Sequence, residues 1–272
     1  MKKIIRIISK KFAFIFFKAF SKILNKFEYK IIPSLDESKN KNFRYSEITR
    51  RLIYKNPKNK FPKIIIDTSH SETELCKLGA MYGTNKSALN EQGHRSGYTP
   101  YYNILFRHLK DEAINFAEIG IEKNSSTQMW RKYFSQAKIY GFENDLKKIE
   151  SAKKQNLKKT YYHFIDITKP KIIHNVFKKI NKKFDIIIDD STHWFNDQIG
   201  IVKNVNMYLK NKGILIIEDI YKNRTEHDEK HYYSELVSLK KIFNEIYFVE
   251  FHNLNNYTAS WKCEKILVLI KK

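Results

Sequence analysis

The sequence predicts an α/β protein: a doubly wound, Rossmann-like, mostly parallel sheet whose last strand runs antiparallel, preceded by an N-terminal helical extension. Three observations carry that expectation. Residues 184–190 (Phe-Asp-Ile-Ile-Ile-Asp-Asp) and 213–219 (Gly-Ile-Leu-Ile-Ile-Glu-Asp) are short β-branched runs that each stop at two adjacent carboxylates. About one helix length separates them, the pattern of buried parallel strands joined by a crossover. Upstream, residues 114–165 alternate strand-like and helix-like text in the same rhythm.

Composition narrows the class. A chain of 272 residues holds one large α/β domain with an extension, and 42% hydrophobic with 14% aromatic residues fits a packed core rather than disorder. The formal charge of +22 admits nucleic acid, an anionic membrane surface or acidic glycans as partners. The lysines are spread along the chain, and Lys, Asn, Ile, Tyr and Phe are used together throughout, as an AT-rich coding sequence produces. That spread, without a recognition motif, argues against nucleic acid. Cys76 and Cys263 form no metal-type pair, so a reducing, cytoplasmic setting is expected.

Residues 1–29 alternate basic and apolar positions at helical spacing, with Ile4, Ile8, Phe12 and Ile15 on one face. No uncharged run is long enough to cross a bilayer, and basic residues interrupt the apolar core that a signal peptide needs. The expected helix lies on an anionic membrane surface as a peripheral anchor, packs on the protein's own domain, or joins a second copy in a homo-oligomer. Residues 30–63 read as a polar linker, punctuated by Pro33, Pro57 and Pro62, with a short helical piece near 45–54. The chain thus divides into an extension and linker, 1–70, and a domain, 71–272, that includes a lid segment at 71–110.

A short helix over 72–81 leads into Tyr82-Gly83-Thr84-Asn85-Lys86, and Gly97-Tyr98-Thr99-Pro100-Tyr101-Tyr102 opens another that runs to about 109. This tyrosine-rich stretch is either plain packing or a lid over a substrate of hydroxyls and rings. On the second reading His94, Tyr98 and Tyr102 are candidate substrate contacts. Core strands follow at 114–119, 137–142, 161–165, 184–189 and 213–217, with a helix at 126–134. Strands at 246–252 and 266–270 close the sheet around a turn-rich 253–258.

Ligands of an open parallel sheet bind at the carboxyl ends of its strands. Asp189, Asp190, His193, Glu218 and Asp219 therefore gather on one rim, which suggests a divalent metal with a base beside it. The loop after the first core strand, Glu118 to Ser126, is placed to carry a cofactor. Gly120 lets the backbone approach a ligand, Asn124 suits a left-handed position, and Ser126 opens the next helix. No G-x-G-x-x-G is present, which disfavours a dinucleotide. Glu143, ending the second strand, is placed for two ribose hydroxyls, and Asp166, after the third, for a purine edge. An acid on ribose without a glycine phosphate cradle points to S-adenosylmethionine. Asp189, counted with the cofactor side, caps or orients the segment after it.

The order Tyr82-Gly83-Thr84-Asn85-Lys86, Tyr98-Thr99-Pro100-Tyr101-Tyr102, Glu118-Ile119-Gly120 with Ser126-Thr127-Gln128-Met129-Trp130, Asp189-Asp190-Ser191-Thr192-His193 and Glu218-Asp219 resembles the metal-dependent sugar O-methyltransferases of the mycinamicin-biosynthesis type. Rhamnosyl O-methyltransferases and cephalosporin-hydroxylase-like proteins are relatives, and the likeness covers roughly 71–271. The resemblance implies Asp190, Glu218 and Asp219 as Mg²⁺ ligands and His193 as general base. It implies methyl transfer from S-adenosylmethionine to a sugar hydroxyl of a glycan, glycolipid or glycosylated metabolite. The chain departs from the family in carrying Asn124-Ser125 for Gly-Gly, and Asn85 for Asp. Two other readings stand beside it: methylation of another vicinal diol or catechol-like compound, and a non-catalytic basic protein that binds membrane or nucleic acid on the same fold.

Overall fold

In the computed structural model the described residues are 22–23, 29–32, 51–54, 59–257 and 262–272. The chain divides into two units, Met1–Lys60 and Phe61–Lys272. In the first, Lys22 and Ile23 are helical, and β1 (Tyr29–Ile32) pairs antiparallel with β2 (Arg51–Tyr54), Tyr29 opposite Tyr54. The rest of the expected basic amphipathic helix lies outside the described residues. The helical piece expected near 45–54 ends, where it is described, as a strand: Leu52 and Ile53 take partners on β1.

The second unit is built on eight strands: β3 (Lys63–Asp67), β4 (Asn115–Ile119), β5 (Lys138–Glu143), β6 (Thr160–Phe164), β7 (Phe184–Asp189), β8 (Leu209–Ile217), β9 (Phe243–His252) and β10 (Lys265–Lys271). Their order across the sheet is β3-β9-β10-β8-β7-β4-β5-β6. Only β10 runs antiparallel, to both β8 and β9; every other pairing is parallel. The expected α/β sheet with an antiparallel last strand is therefore observed. β3 is an addition. Its Ile64-Ile65-Ile66 run falls inside the stretch 1–70 expected as extension and linker, yet it pairs with β9 at the edge of the main sheet.

Both faces of the sheet are covered because successive strand side chains point to opposite sides. Phe116, Ile186, Ile188, Ile214 and Ile216 enter one apolar layer with helices α1 (Glu74–Met81), α2 (Thr99–Phe106) and α3 (Ser125–Tyr133). Ala117, Ile187, Leu215 and Ile217 enter the other, with α5 (Pro170–Ile180), α6 (Phe195–Val205) and α7 (Glu229–Leu236). Helix α4 (Leu146–Lys154) follows β5 and is capped by Asp145, whose carboxylate accepts from Lys147 N. The strand order reverses between β4 and β7, and such a switch point opens a crevice at the carboxyl ends. The chemistry-bearing residues stand there.

Candidate active site

A cleft of about 630 Å³ opens over the ends of β4, β5, β7 and β8, a volume suited to a small-molecule ligand. On one side lies the loop after β4. Gly120 has φ +87°, and a Cβ added there would sit 2.1 Å from the Asp190 carbonyl oxygen. Only glycine lets β4 and β7 approach so closely. Asn124 takes the left-handed conformation expected of it, at φ 67°. Its side-chain nitrogen donates to Gln155 Oε1 (2.6 Å) and Tyr162 Oη (2.8 Å), while its buried Oδ1 has no partner. Asn124 thus shapes the loop from behind, and Ser125 and Ser126 face the cleft.

Glu143 lines the cleft at the end of β5. Its Oε2 accepts from Ile121 N (3.3 Å) and Glu122 N (3.2 Å), and its Oε1 from Asn144 N (2.9 Å) and Asp145 N (3.3 Å). One carboxylate therefore ties the β4 loop to the β5 loop. Asp166 is placed otherwise than expected. Its carboxylate is spent on Thr168 and Lys169, and its apolar neighbours Ile165 and Ile167 face the cleft instead.

Opposite this loop stand Asp190, His193 and Asp219, with one ligand atom from each lying within 4.8 Å of the others. His193 Nε2 is 4.0 Å from Asp190 Oδ1 and 3.7 Å from Asp219 Oδ2. Both His193 (φ 59°) and Asp219 (φ 54°) are held in the left-handed region, a conformation that costs free energy outside glycine and concentrates at functional positions.

The adjacent carboxylates divide their work. Asp190 and Asp219 line the cleft; Asp189 and Glu218 lie beneath it, each 1% exposed. Asp189 Oδ1 accepts from Ser191 Oγ at 2.5 Å, so it orients the loop that carries His193, and burial pushes its pKa up to about 7. Glu218 accepts from Tyr102 Oη (2.7 Å) and from Lys86 Nζ. Glu118, also beneath, accepts from Thr127 Oγ1 (2.9 Å) and Trp130 Nε1 (3.2 Å).

Two expected substrate contacts are corrected by this packing. Tyr98 and Tyr102 are 1% and 0% exposed and do not line the cleft. Each phenol is turned inward onto an acid: Tyr98 Oη reaches Asp219 Oδ1 at 2.6 Å, and Tyr102 reaches Glu218. A buried hydroxyl needs a partner, and the carboxylates offer the strongest one. His94 does line the cleft, edge-on to Tyr257.

Lys86, quoted in a motif but given no role above, is the residue that sequence reasoning missed. It is 1% exposed, and its ammonium bonds Asp190 and Glu218 and lies 3.8 Å from Glu118. Burial alone would strip its proton, yet these carboxylates hold its pKa well above the ordinary lysine value. Three carboxylates (Glu118, Asp190 and Glu218) thus face one ammonium, and a fourth, Asp219, stands beside them on Tyr98 and His193. Burial raises the pKa of Glu118, Glu218 and Asp219, and the neighbouring carboxylates add to the rise. Oxygen donors carrying an excess of negative charge suit a hard divalent cation.

A family model described as a methyltransferase domain matches residues 123–261, just over half of the chain. A tetracenomycin-rhamnosyl 3'-O-methyltransferase of Streptomyces olivaceus is 26% identical over 157 residues, 54% of this chain and 37% of that protein. L-olivosyl-oleandolide 3-O-methyltransferase of Streptomyces antibioticus is 24% identical, over 58% of this chain and 40% of its own length. The chain therefore spans well under half the length of these relatives. Among solved structures, the methyltransferase MycE of the mycinamycin pathway, in complex with Mg, S-adenosylhomocysteine and mycinamycin VI, superposes with a TM-score of 0.54 at 18% identity. That match covers 74% of this chain and 55% of the other, and it shows a shared Rossmann-like fold. With sheet order, crevice and family model in agreement, this chain belongs to the methyltransferase-domain family.

Proposed function

We propose that the protein is an S-adenosylmethionine- and Mg²⁺-dependent O-methyltransferase acting on a sugar hydroxyl. The observation that carries the reading is the single cleft shared by the β4 loop with Glu143 and by Asp190, His193 and Asp219. Cofactor side and proton-removal side open into one space, as in-line transfer between two bound partners requires. The names of the curated relatives, all O-methyltransferases and two of them naming a sugar, support a glycosylated acceptor.

S-adenosylmethionine supplies an electrophilic methyl on sulfur, and a divalent cation makes a hydroxyl beside it easier to deprotonate. The protein does the rest. The Gly120–Ser126 loop would hold the cofactor against the backbone, and Glu143, which now accepts from Ile121 N and Glu122 N, would accept from its ribose hydroxyls. Ile165 and Ile167 give an apolar wall for the base. Asp190 and Asp219 would hold the cation from within the cleft, with Glu218 beneath them. His193 Nε2 would accept the proton of the acceptor hydroxyl as that oxygen takes the methyl group from the cofactor sulfur.

A path leads outward from His193. Its ring is 6.4 Å from Tyr221; Arg224 stacks 4.1 Å over Tyr221 and 5.3 Å from Trp194, which is 58% exposed. An exposed indole braced by a guanidinium beside the base is a fitting platform for a sugar ring. Calorimetry with S-adenosylmethionine, with and without MgCl₂, tests the cofactor. Mass spectrometry of glycan and glycolipid extracts incubated with a labelled methyl donor tests the acceptor. Absence of cofactor binding would leave a non-catalytic member of the fold.

A further inference from the structure

We propose that Lys86 is a built-in counter-ion whose ammonium competes with the divalent cation for Asp190 and Glu218, and so sets how tightly that cation binds. The inference rests on the reading of the acidic cluster as a cation site.

The ammonium reaches both carboxylates from a loop far away in sequence, 104 and 132 residues from its partners. It is not a loose surface lysine. The Lys86 carbonyl accepts from Tyr98 N (2.9 Å) and Thr99 N (3.2 Å), which pins the residue to the first turn of α2. The same turn and the next present Tyr98 to Asp219 and Tyr102 to Glu218. One segment, 86–102, therefore supplies a donor to three of the four acids at the ends of β7 and β8, Asp190, Glu218 and Asp219. Without it, the carboxylates would be buried with no counter-charge, a state that costs several kcal/mol per ion or forces protonation.

Two consequences follow from this geometry. In the absence of metal, the cluster is already partly neutralised, so the fold does not depend on the cation. An arriving divalent ion meets an ammonium at the oxygens it needs, and close like charges repel by Coulomb's law in a site poorly screened by solvent. Removal of the ammonium should therefore tighten cation binding and, at the same time, make the fold depend on the cation. A lysine that merely filled space would do neither.

The test compares wild type, Lys86→Met, Glu218→Gln and Lys86→Met/Glu218→Gln as full chains. Calorimetric titration with MgCl₂ and MnCl₂ gives Kd, and melting curves in chelator and in saturating metal give stability. Lys86→Met is expected to bind about tenfold tighter or more, with a melting temperature that falls in chelator and recovers in metal. The double variant lacks one ammonium and one carboxylate, so it folds in chelator even where Lys86→Met does not. It should bind metal more tightly than Glu218→Gln alone. Unchanged or weaker binding on loss of Lys86, in either background, overturns the proposal. If no protein in the set binds either metal or is stabilised by it, the cation-site reading itself fails, and this inference falls with it.

Discussion

Tyr98 Oη lies 2.6 Å from Asp219 Oδ1, joining a helix start to a strand end 121 residues later. The Cys263 carbonyl oxygen is equally near, at 2.6 Å. A phenol has one hydrogen to give, and the charged acceptor holds it more strongly. Tyr98→Phe keeps the ring in the core and deletes only this donor. The expected cost is about 1–3 kcal/mol, the price of a buried acceptor left short, read as a lower midpoint in chemical denaturation. Magnesium binding should weaken as well, since Asp219 loses the contact that aims it. An unchanged midpoint would show that water replaces the phenol.

His193 and the two cleft-facing acids separate by what they disable. His193→Ala should lower methyl transfer by about 10²- to 10⁴-fold, the usual worth of a general base, with S-adenosylmethionine affinity intact by calorimetry. Asp190→Asn and Asp219→Asn should each remove magnesium binding together with turnover, while Asp189→Asn, beneath the cleft, should do less harm. Full turnover by His193→Ala would strike it out as the base.

Gly120→Ala tests the crevice itself. The new Cβ would fall 2.1 Å from the Asp190 carbonyl oxygen, at a φ of +87° that alanine resists. Backbone must shift, because neither atom is the end of a flexible side chain. Expected are loss of cofactor binding and a clear drop in melting temperature. Wild-type affinity in this variant would mean that the β4 loop is not the cofactor wall.

Acid stability should depend on His227. Its Nδ1 accepts from Tyr221 N at 2.9 Å, so the neutral ring carries its proton on Nε2, which is buried without a partner. Burial pushes its pKa down to about 4, with Arg224 adding to the fall and Glu226 opposing it. The unfolded chain therefore binds the proton first. Stability is full above the unfolded value of about 6.5 and declines as pH drops toward 4, by on the order of 2–3 kcal/mol from this group. Melting curves between pH 4 and 8 should show that slope, and His227→Gln should flatten it.

Much of the architecture was legible in the chain because the strands announce themselves. Runs such as Ile186-Ile187-Ile188, buried on both faces, have no other economical reading, and their abrupt stops at acids mark the carboxyl rim. β3 was less legible: its three isoleucines follow two prolines in a polar stretch, and its Ile64 and Ile65 remain largely exposed at the sheet edge. The site was legible in its residue types and only partly in their roles. Tyr98 and Tyr102 read as ligand contacts because a tyrosine's two-sided chemistry looks the same in sequence whether its hydroxyl meets a sugar or a buried carboxylate.

The amino-acid sequence by itself determined the parallel sheet and the supply of acids at the rim, since each follows from local pattern and side-chain alternation. Only the tertiary structure decided which acid of each adjacent pair faces the cleft and which is sealed below. It also decided that Lys86 ends among them. These outcomes depend on contacts more than a hundred residues apart, where packing and the cost of burying charge choose the partner and no local spacing records the choice.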